Sequence, residues 1–462
     1  MKIKIKNLGA LKQAEFSPGD LTIICGKNNT GKTYATYAFF GFLSFWWDSF
    51  SIKIENEVVN RLLADGTVRL DVTRYVKQAE KIIADGCREY TGMLPDVLAA
   101  GPGRFKDTEF QVKVDPGEIS LIEKYETRLG SPDVELFVIT KSKGSTELIV
   151  TLLVEKEKIR IPNLIIENFI GEVLKRIVFR NLFPDSFIAS TERTGAAIFL
   201  IELDFARNRL LDRMIQTGKK KKFDPMNLLK ESYQRYALPV TKNVDFTRQL
   251  ATIAKQSSYI TKEHPDVLSD FADIIEGEYI VIHGVVYYVP KGKSVKLSMG
   301  ESSSAVRSLL DIGFYLKHIA QPGEMLMVDE PELNLHPENQ RRMARLFARL
   351  VNLGIKVFIT THSDYIIKEL NTLIMLNHDK PHLKRIAEKQ GYKKEELISA
   401  DQVKVYIAEE APVKLNGNTR KSRGLTFTPA DIDPELGIEA RSFDITIDEM
   451  NRIQDEIVWG EG

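Results

Sequence analysis

Gly26-Lys27-Asn28-Asn29-Thr30-Gly31-Lys32-Thr33 fits the spacing G-x-x-x-x-G-K-[ST]. Residues of these types in this order can cradle phosphate. The glycines let backbone N–H groups wrap around phosphate oxygens, and a following helix offers its positive end. Lys32 would neutralise the β- and γ-phosphates, and the Thr33 hydroxyl would bind Mg²⁺. Gly26, Asn28, Asn29, Thr30 and Gly31 are expected against the same nucleotide.

Such a cradle needs an acidic element to finish its metal site. Met325-Leu326-Met327-Val328 reads as a buried strand, and Asp329 and Glu330 emerge at its C-terminal end, where open α/β sheets bind ligands. Asp329 is expected to hold Mg²⁺, through water, and Glu330 to orient or deprotonate an attacking water. An acidic helix start helped by Pro331 would be the plain reading of this pair alone; beside Gly26–Thr33 it loses to the catalytic one. Leu297-Ser298-Met299-Gly300-Glu301 is expected to open a helix whose N-terminus binds an anion, with an ordinary cap at Ser298 or Ser302 as the alternative. Thr360-Thr361-His362-Ser363 ends the next strand, where an imidazole can reach a γ-phosphate.

The elements that position these groups follow from patterning. Lys2–Lys6 alternates lysine with isoleucine as a half-buried strand does, Ser17-Pro18-Gly19-Asp20 is a turn, and Leu21–Cys25 is a short apolar strand. A helix is expected from Lys32. Farther on, Glu278–Val289 reads as strands turning at Gly284, Ser302–Ile319 as one amphipathic helix, Pro337–Leu353 as a second with Met343, Leu346, Phe347 and Leu350 on one face, and Ile355–Ile359 as a strand. Strands alternating with helices imply a parallel sheet with crossovers. Between these blocks the pattern is mixed: Leu148–Ile161 reads as strand with a charged turn, Phe169–Phe183 and Ala197–Ile215 as helices, and Ser186–Ala189 as a strand.

Composition bounds the class. The chain has 462 residues, 43% hydrophobic and 28% charged, which is enough to bury a core without disulfides. Its 64 basic residues cancel 64 acidic ones, so no global field attracts nucleic acid or an anionic membrane. Gly218 with Lys219–Lys222 is a local basic run, usually a solvated loop and a candidate for DNA contact. Cys25 and Cys87 suit a reducing cytosol. The aromatic-rich Tyr34–Phe50 carries Asp48 and is too short to span a membrane, so no membrane partner and a cytoplasmic location are expected.

The order phosphate loop, serine-glycine signature, Asp-Glu strand and strand-end histidine resembles the ABC-type ATPase heads. More narrowly, Gly26–Thr33, Asp329-Glu330-Pro331-Glu332-Leu333-Asn334-Leu335-His336-Pro337 and Thr361-His362-Ser363-Asp364 resemble the SMC/RecF/OLD branch, many of whose ATPases serve DNA repair or bacterial anti-phage defence. The match covers Met1 to about Thr36 and Lys296 to Leu376. The resemblance implies an α/β fold: a P-loop NTPase head with a mixed β-sheet and an inserted, largely helical middle region. Residues 1–50 and 276–376 would be the two parts of the head, 51–275 an insertion completing and decorating it, and 377–462 a C-terminal extension.

It also implies a head incomplete as a monomer. Two heads would sandwich two ATPs, with Ser298, Gly300 and Glu301 facing the phosphate loop of a second copy, and Asn334 and His336 in the segment that communicates across the dimer. ATP and Mg²⁺ are the implied cofactors, and a homodimer or higher homo-oligomer the implied assembly. Met299 replaces the usual glycine of transporter signatures and Glu301 their glutamine, and the glutamine loop that completes the Mg²⁺ shell is not placed. Ser190-Thr191-Glu192-Arg193 resembles a short arginine motif of these ATPases; Arg193 senses nucleotide, or stabilises the head, or makes a buried ion pair.

OLD-type nucleases carry a metal-binding domain after the head. Here Asp431, Asp433 and Glu435 read as a loop beside Pro429 and Pro434, and Asp444–Ile453, with Asp448 and Glu449, as a capped helix. No nuclease centre is read there, so an effector is expected on a separate protein. The competing readings are an ABC-transporter ATPase, a DNA-repair ATPase without an effector, and a nucleotide-locked module that does not hydrolyse.

Overall fold

The computed structural model describes residues 1–101, 103–131, 134–154, 162–199, 236–414, 421–438 and 451–456. Its strands, in chain order, are β1 (Lys2–Leu8), β2 (Leu11–Phe16), β3 (Leu21–Gly26), β4 (Thr67–Asp71), β5 (Glu109–Lys113), β6 (Tyr125–Ser131), β7 (Val134–Lys141), β8 (Glu147–Leu152) and β9 (Ser186–Ala189). They continue with β10 (Gly277–Ile282), β11 (Val285–Pro290), β12 (Leu297–Ser298), β13 (Met325–Asp329), β14 (Lys356–Thr361), β15 (Val403–Lys414), β16 (Lys421–Pro429), β17 (Ile432–Asp433) and β18 (Gly437–Ile438). The chain forms two units. One comprises residues 1–6, 42–93 and 108–185, the other residues 7–41, 94–107 and 186–462.

In the first unit, β1 pairs antiparallel with β5, and the lysine–isoleucine alternation buries Ile3 and Ile5 on one face. The strands β4, β8, β7 and β6 make an antiparallel sheet in that order. Phe42, Trp46, Phe50, Phe179 and Phe183 pack ring against ring, which explains the aromatic richness seen in the sequence as core. The Lys175 ammonium is buried there and donates to the Phe50 carbonyl at 3.1 Å and Glu172 at 2.6 Å. The helix expected over Phe169–Phe183 runs instead over Asn163–Phe179.

In the second unit, seven strands of the large sheet follow the order β2, β16, β15, β3, β14, β13, β9. β3 pairs in parallel with β14 on one side and β15 on the other, and β13 pairs in parallel with β14 and β9. Every residue of β3 and β13 is buried, as two-sided burial of a parallel sheet requires. Residues 377–462, read as an extension, therefore supply a neighbour of the phosphate-loop strand: Val403, Val405 and Ile407 are buried in β15. Helix Pro337–Asn352 buries Met343, Leu346, Phe347 and Leu350 as expected.

Two local expectations change. The single helix over Ser302–Ile319 is three short pieces: Ser304–Ser308, Leu310–Phe314 and a π-helical turn Tyr315–Ile319. The break falls where the Ser308 carbonyl accepts from the Arg193 side chain, and the wide turn where Ala320 N–H donates to the Tyr315 carbonyl. Likewise Leu297–Ser298 do not start a helix. They pair with β11, and the helix cap is Ser303, whose hydroxyl accepts from Val306 N–H. Of Leu148–Ile161, the strand ends at Leu152 and residues 155–161 lie outside the described residues; Ala197–Phe199 are helical, while 200–215, Lys219–Lys222 and 439–450 also lie outside them.

Candidate active site

The phosphate loop bends at residues chosen for it. Gly26 has φ 132°, and a Cβ there would sit 2.5 Å from the Ala408 carbonyl oxygen; Gly31 has φ 88° and lies against Leu11. Asn29 takes φ 62°, a conformation asparagine tolerates. The Thr30 hydroxyl donates to the Lys27 carbonyl at 2.8 Å. Lys32 is 5% exposed, and its ammonium donates to the Gly26 carbonyl at 3.0 Å and the Lys27 carbonyl at 2.8 Å. Burial pulls its pKa down, while the charges of Glu330 and Asp329 oppose that.

Asp329 ends β13 beside Thr360 of β14. Burial pushes its pKa up to about 6, and hydrogen bonds from the Thr360 and Thr33 hydroxyls oppose the rise. Its Oδ1 accepts from the Thr360 hydroxyl, and its Oδ2 is buried without a hydrogen-bond partner among the described residues. A buried, unpartnered carboxylate oxygen beside a threonine hydroxyl is an all-oxygen donor set suited to a hard cation. Thr33 and Asp329 therefore fit Mg²⁺.

Glu330 sits in the left-handed region at φ 53°, an unusual place for a non-glycine residue and one met at functional sites. Its N–H donates to the Thr360 carbonyl at 3.1 Å. Its carboxylate lies 3.2 Å from His362 Nε2, and that hydrogen bond holds its pKa below the usual carboxylate range. Glu332, which the motif contains but the residue-level reading left without a role, locks the histidine strand-end. Its carboxylate accepts from His362 N–H at 2.6 Å and the Thr361 hydroxyl at 2.9 Å. A glutamine also reaches this neighbourhood from after the Asp-Glu strand: Gln340 accepts from the Ser363 hydroxyl at 2.6 Å.

Of the roles expected for Arg193, its contacts fit stabilising the head. Its side chain is 1% exposed, and among the described residues its side-chain hydrogen bonds all go to main-chain carbonyls: Ser308 at 2.6 Å, Ser190 and Asp329 at 2.7 Å, and Glu330 at 2.9 Å. The carboxylates of Asp329 and Asp311 compensate its charge through space. It is a buried clamp on the backbone that carries the acidic pair.

Lys32, Asp329, Glu330 and His362 thus converge on the loop Gly26–Thr33. Among the described residues, no hydrogen bond links Ser298, Gly300 or Glu301 to that loop. Glu301 accepts from Ser298 N–H at 2.9 Å and from its hydroxyl at 2.7 Å, and Arg307 donates to the Gly300 carbonyl at 3.3 Å. Asn334, with φ 62°, and His336, the cap of helix Pro337–Asn352, follow the acidic strand.

A family model described as an AAA ATPase domain matches residues 1–245 and 208–367. The chain belongs to this AAA ATPase domain family. That assignment agrees with the ATPase-head resemblance carried by the motifs. Among solved structures, the SMC head domain from Thermotoga maritima is 11% identical, with 93% of this chain and 98% of that one covered at a TM-score of 0.29. The Smc head domain with an extended coiled coil bound to the C-terminal domain of ScpA, from Pyrococcus furiosus, is 12% identical, with 98% of each chain covered and a TM-score of 0.31. Scores this low add nothing to the family assignment. No curated protein matches the chain. Among the described residues, no helix of this AAA ATPase is long and apolar enough to cross a membrane.

Proposed function

We propose that this AAA ATPase binds ATP with Mg²⁺ on Gly26–Thr33 and hydrolyses it, Glu330 orienting or deprotonating the attacking water. The observation that supports this is the convergence of Lys32, Asp329, Glu330 and His362 at the C-terminal ends of β3, β13 and β14. Bound Mg²⁺, held by Thr33 and Asp329, would offset charge on the β- and γ-phosphates. The protein's own part is positional. Thr360 orients Asp329, His362 keeps Glu330 ionised, and Lys32 sits where charge develops during transfer.

The motif resemblance supports a closed site made by two heads around two ATPs, with Ser298, Gly300 and Glu301 of each signature facing the other copy's loop. ATP then favours closure and hydrolysis opening, because the γ-phosphate contacts exist only in the closed pair. On the motif resemblance, such a switch in the cytoplasm serves as sensor or scaffold of a DNA-directed, anti-phage system whose nuclease or toxin is another chain.

Glu330→Gln tests the reading. Turnover should fall by about 10²- to 10³-fold, while ATP binding persists and sedimentation reveals an ATP-dependent dimer. Undiminished turnover would remove Glu330 from the chemistry. Turnover seen only with membranes would favour a transporter ATPase.

A further inference from the structure

Away from the phosphate loop, the second unit contains an open cavity of about 610 Å³, within the range of small-molecule sites. Three elements meet there: the C-terminal end of helix Leu238–Ile253, the hairpin turn between β10 and β11, and the π-helical turn Tyr315–Ile319. Its lining includes Lys255, Lys317, His283 and His318 and contains no carboxylate. In a chain whose opposite charges cancel overall, two ammonium groups with no acid among the lining residues mark a local excess of positive potential. No hydrogen bond or ion pair of the Lys255 or Lys317 ammonium is found among the described residues.

The cavity's imidazole is oriented. His318 Nδ1 lies 2.8 Å from the Gln256 carbonyl, a partner that can only accept, so Nδ1 carries the proton and Nε2 is left for another group. The π-helical turn is an independent observation at the same place. The apolar spacing predicts a regular helix through Ile319, and the wider turn departs from it where Lys317 and His318 stand. Such turns cost helix stability and recur at binding sites. Apolar side chains, among them Ile280 and Val281, complete the wall.

We propose that this cavity is a second ligand site, separate from the ATP site, for a small phosphorylated molecule. Lys255 and Lys317 bind the phosphate, His318 Nε2 accepts from a ligand hydroxyl, and the apolar wall takes the ligand's body. The site is wired to the ATPase. The hairpin at its mouth holds Ser298 through the pairing of Tyr287 with Ser298. Helix Leu238–Ile253 reaches the strand before Arg193, since the Asn243 side chain accepts from Ser190 N–H at 2.9 Å. A bound phosphate therefore bears on the signature and on the clamp behind Glu330.

Pyridoxal 5′-phosphate tests this, because its phosphate recruits it to cationic sites and its aldehyde forms an imine with a nearby lysine, with loss of water. Borohydride then reduces the imine to a stable amine. The full chain is labelled briefly and the modified lysines are mapped by mass spectrometry. Lys255 or Lys317 should label at least about tenfold faster than other exposed lysines, as focused potential raises local anion concentration. Inorganic pyrophosphate should protect both, and in Lys317→Gln the labelling of Lys255 should drop to the ordinary rate. Ordinary rates at both positions, or rates indifferent to pyrophosphate, would overturn the proposal. Labelling of Lys32 reports on the phosphate loop separately, so the two sites stand or fall independently.

Discussion

Replacing Arg193 by methionine removes the donor shared by four main-chain carbonyls while keeping an unbranched apolar side chain. The Ser190 and Glu330 carbonyls keep main-chain donors, Arg193 N–H at 3.3 Å and Leu333 N–H at 3.2 Å; a buried carbonyl left without a partner costs about 1–3 kcal/mol, and relief from burying a guanidinium offsets part of the sum. Asp311 and Asp329 also lose the cation that compensates them. A net loss of about 3–5 kcal/mol follows, by analogy with other broken buried charge clusters. In a unit of this size that is a fall in Tm on the order of 10 °C. The clamp also holds the Asp329 and Glu330 carbonyls, so the Glu330 backbone should relax from φ 53°. A displacement of about 1 Å at such a group lowers kcat roughly 10²-fold. Calorimetry and steady-state ATPase kinetics well below the new Tm are the assays, with Arg193→Lys as an intermediate because it offers fewer donors. The expected pattern is low Tm, low kcat and nearly parental KM. A parental Tm with KM alone raised would show that Arg193 touches nucleotide and would refute the clamp.

Asp311 is 2% exposed, and burial raises its pKa from 3.8 to about 7 against the pull of Arg193 and Thr247. The folded chain then holds this proton more tightly than the unfolded one. Its stabilising contribution is full below pH 4 and is lost as pH rises through 7. Asp311→Asn should remove up to roughly 3 kcal/mol of the stability lost between pH 5 and pH 8; denaturant midpoints that fall equally in both chains would contradict this. Gly26→Ala places a Cβ against the Ala408 carbonyl, a backbone atom that cannot swing away. Strain of about 1–3 kcal/mol at the loop should weaken ATP binding at least tenfold in titration calorimetry, and parental affinity would mean the loop is not held by β15.

The parts of the site that were legible in the sequence are those written in contiguous residues. Gly26–Thr33, the four apolar residues before Asp329 and the strand before His362 each state their own local structure, and neighbouring strands complete them. What was not legible depends on partners far along the chain. Ser302–Ile319 has flawless helical spacing, yet it breaks because a distant arginine claims the Ser308 carbonyl. Ser298 looked like a helix start because its pairing with Tyr287 is a tertiary fact. Glu332 stood inside a recognised motif, but its acceptor role toward His362 needs two strand ends side by side. The alternation Val403-Lys404-Val405-Tyr406-Ile407 is a strand signal, but its place beside β3 is set by pairing far along the chain.

The seating of β3 between β14 and β15 has a consequence for biosynthesis. Leu21 pairs with Val357 and with Val403, so the strand that presents the phosphate loop waits for both neighbours until the ribosome has made most of the chain. At roughly 5–20 residues per second that wait is some tens of seconds. Throughout it an apolar strand with two open edges is exposed to the nascent chain's surroundings, a template for wrong pairing. Nucleotide competence therefore arrives late and at one stroke. Unfinished chains truncated before β15 should be clients of holding chaperones and not partial ATPases.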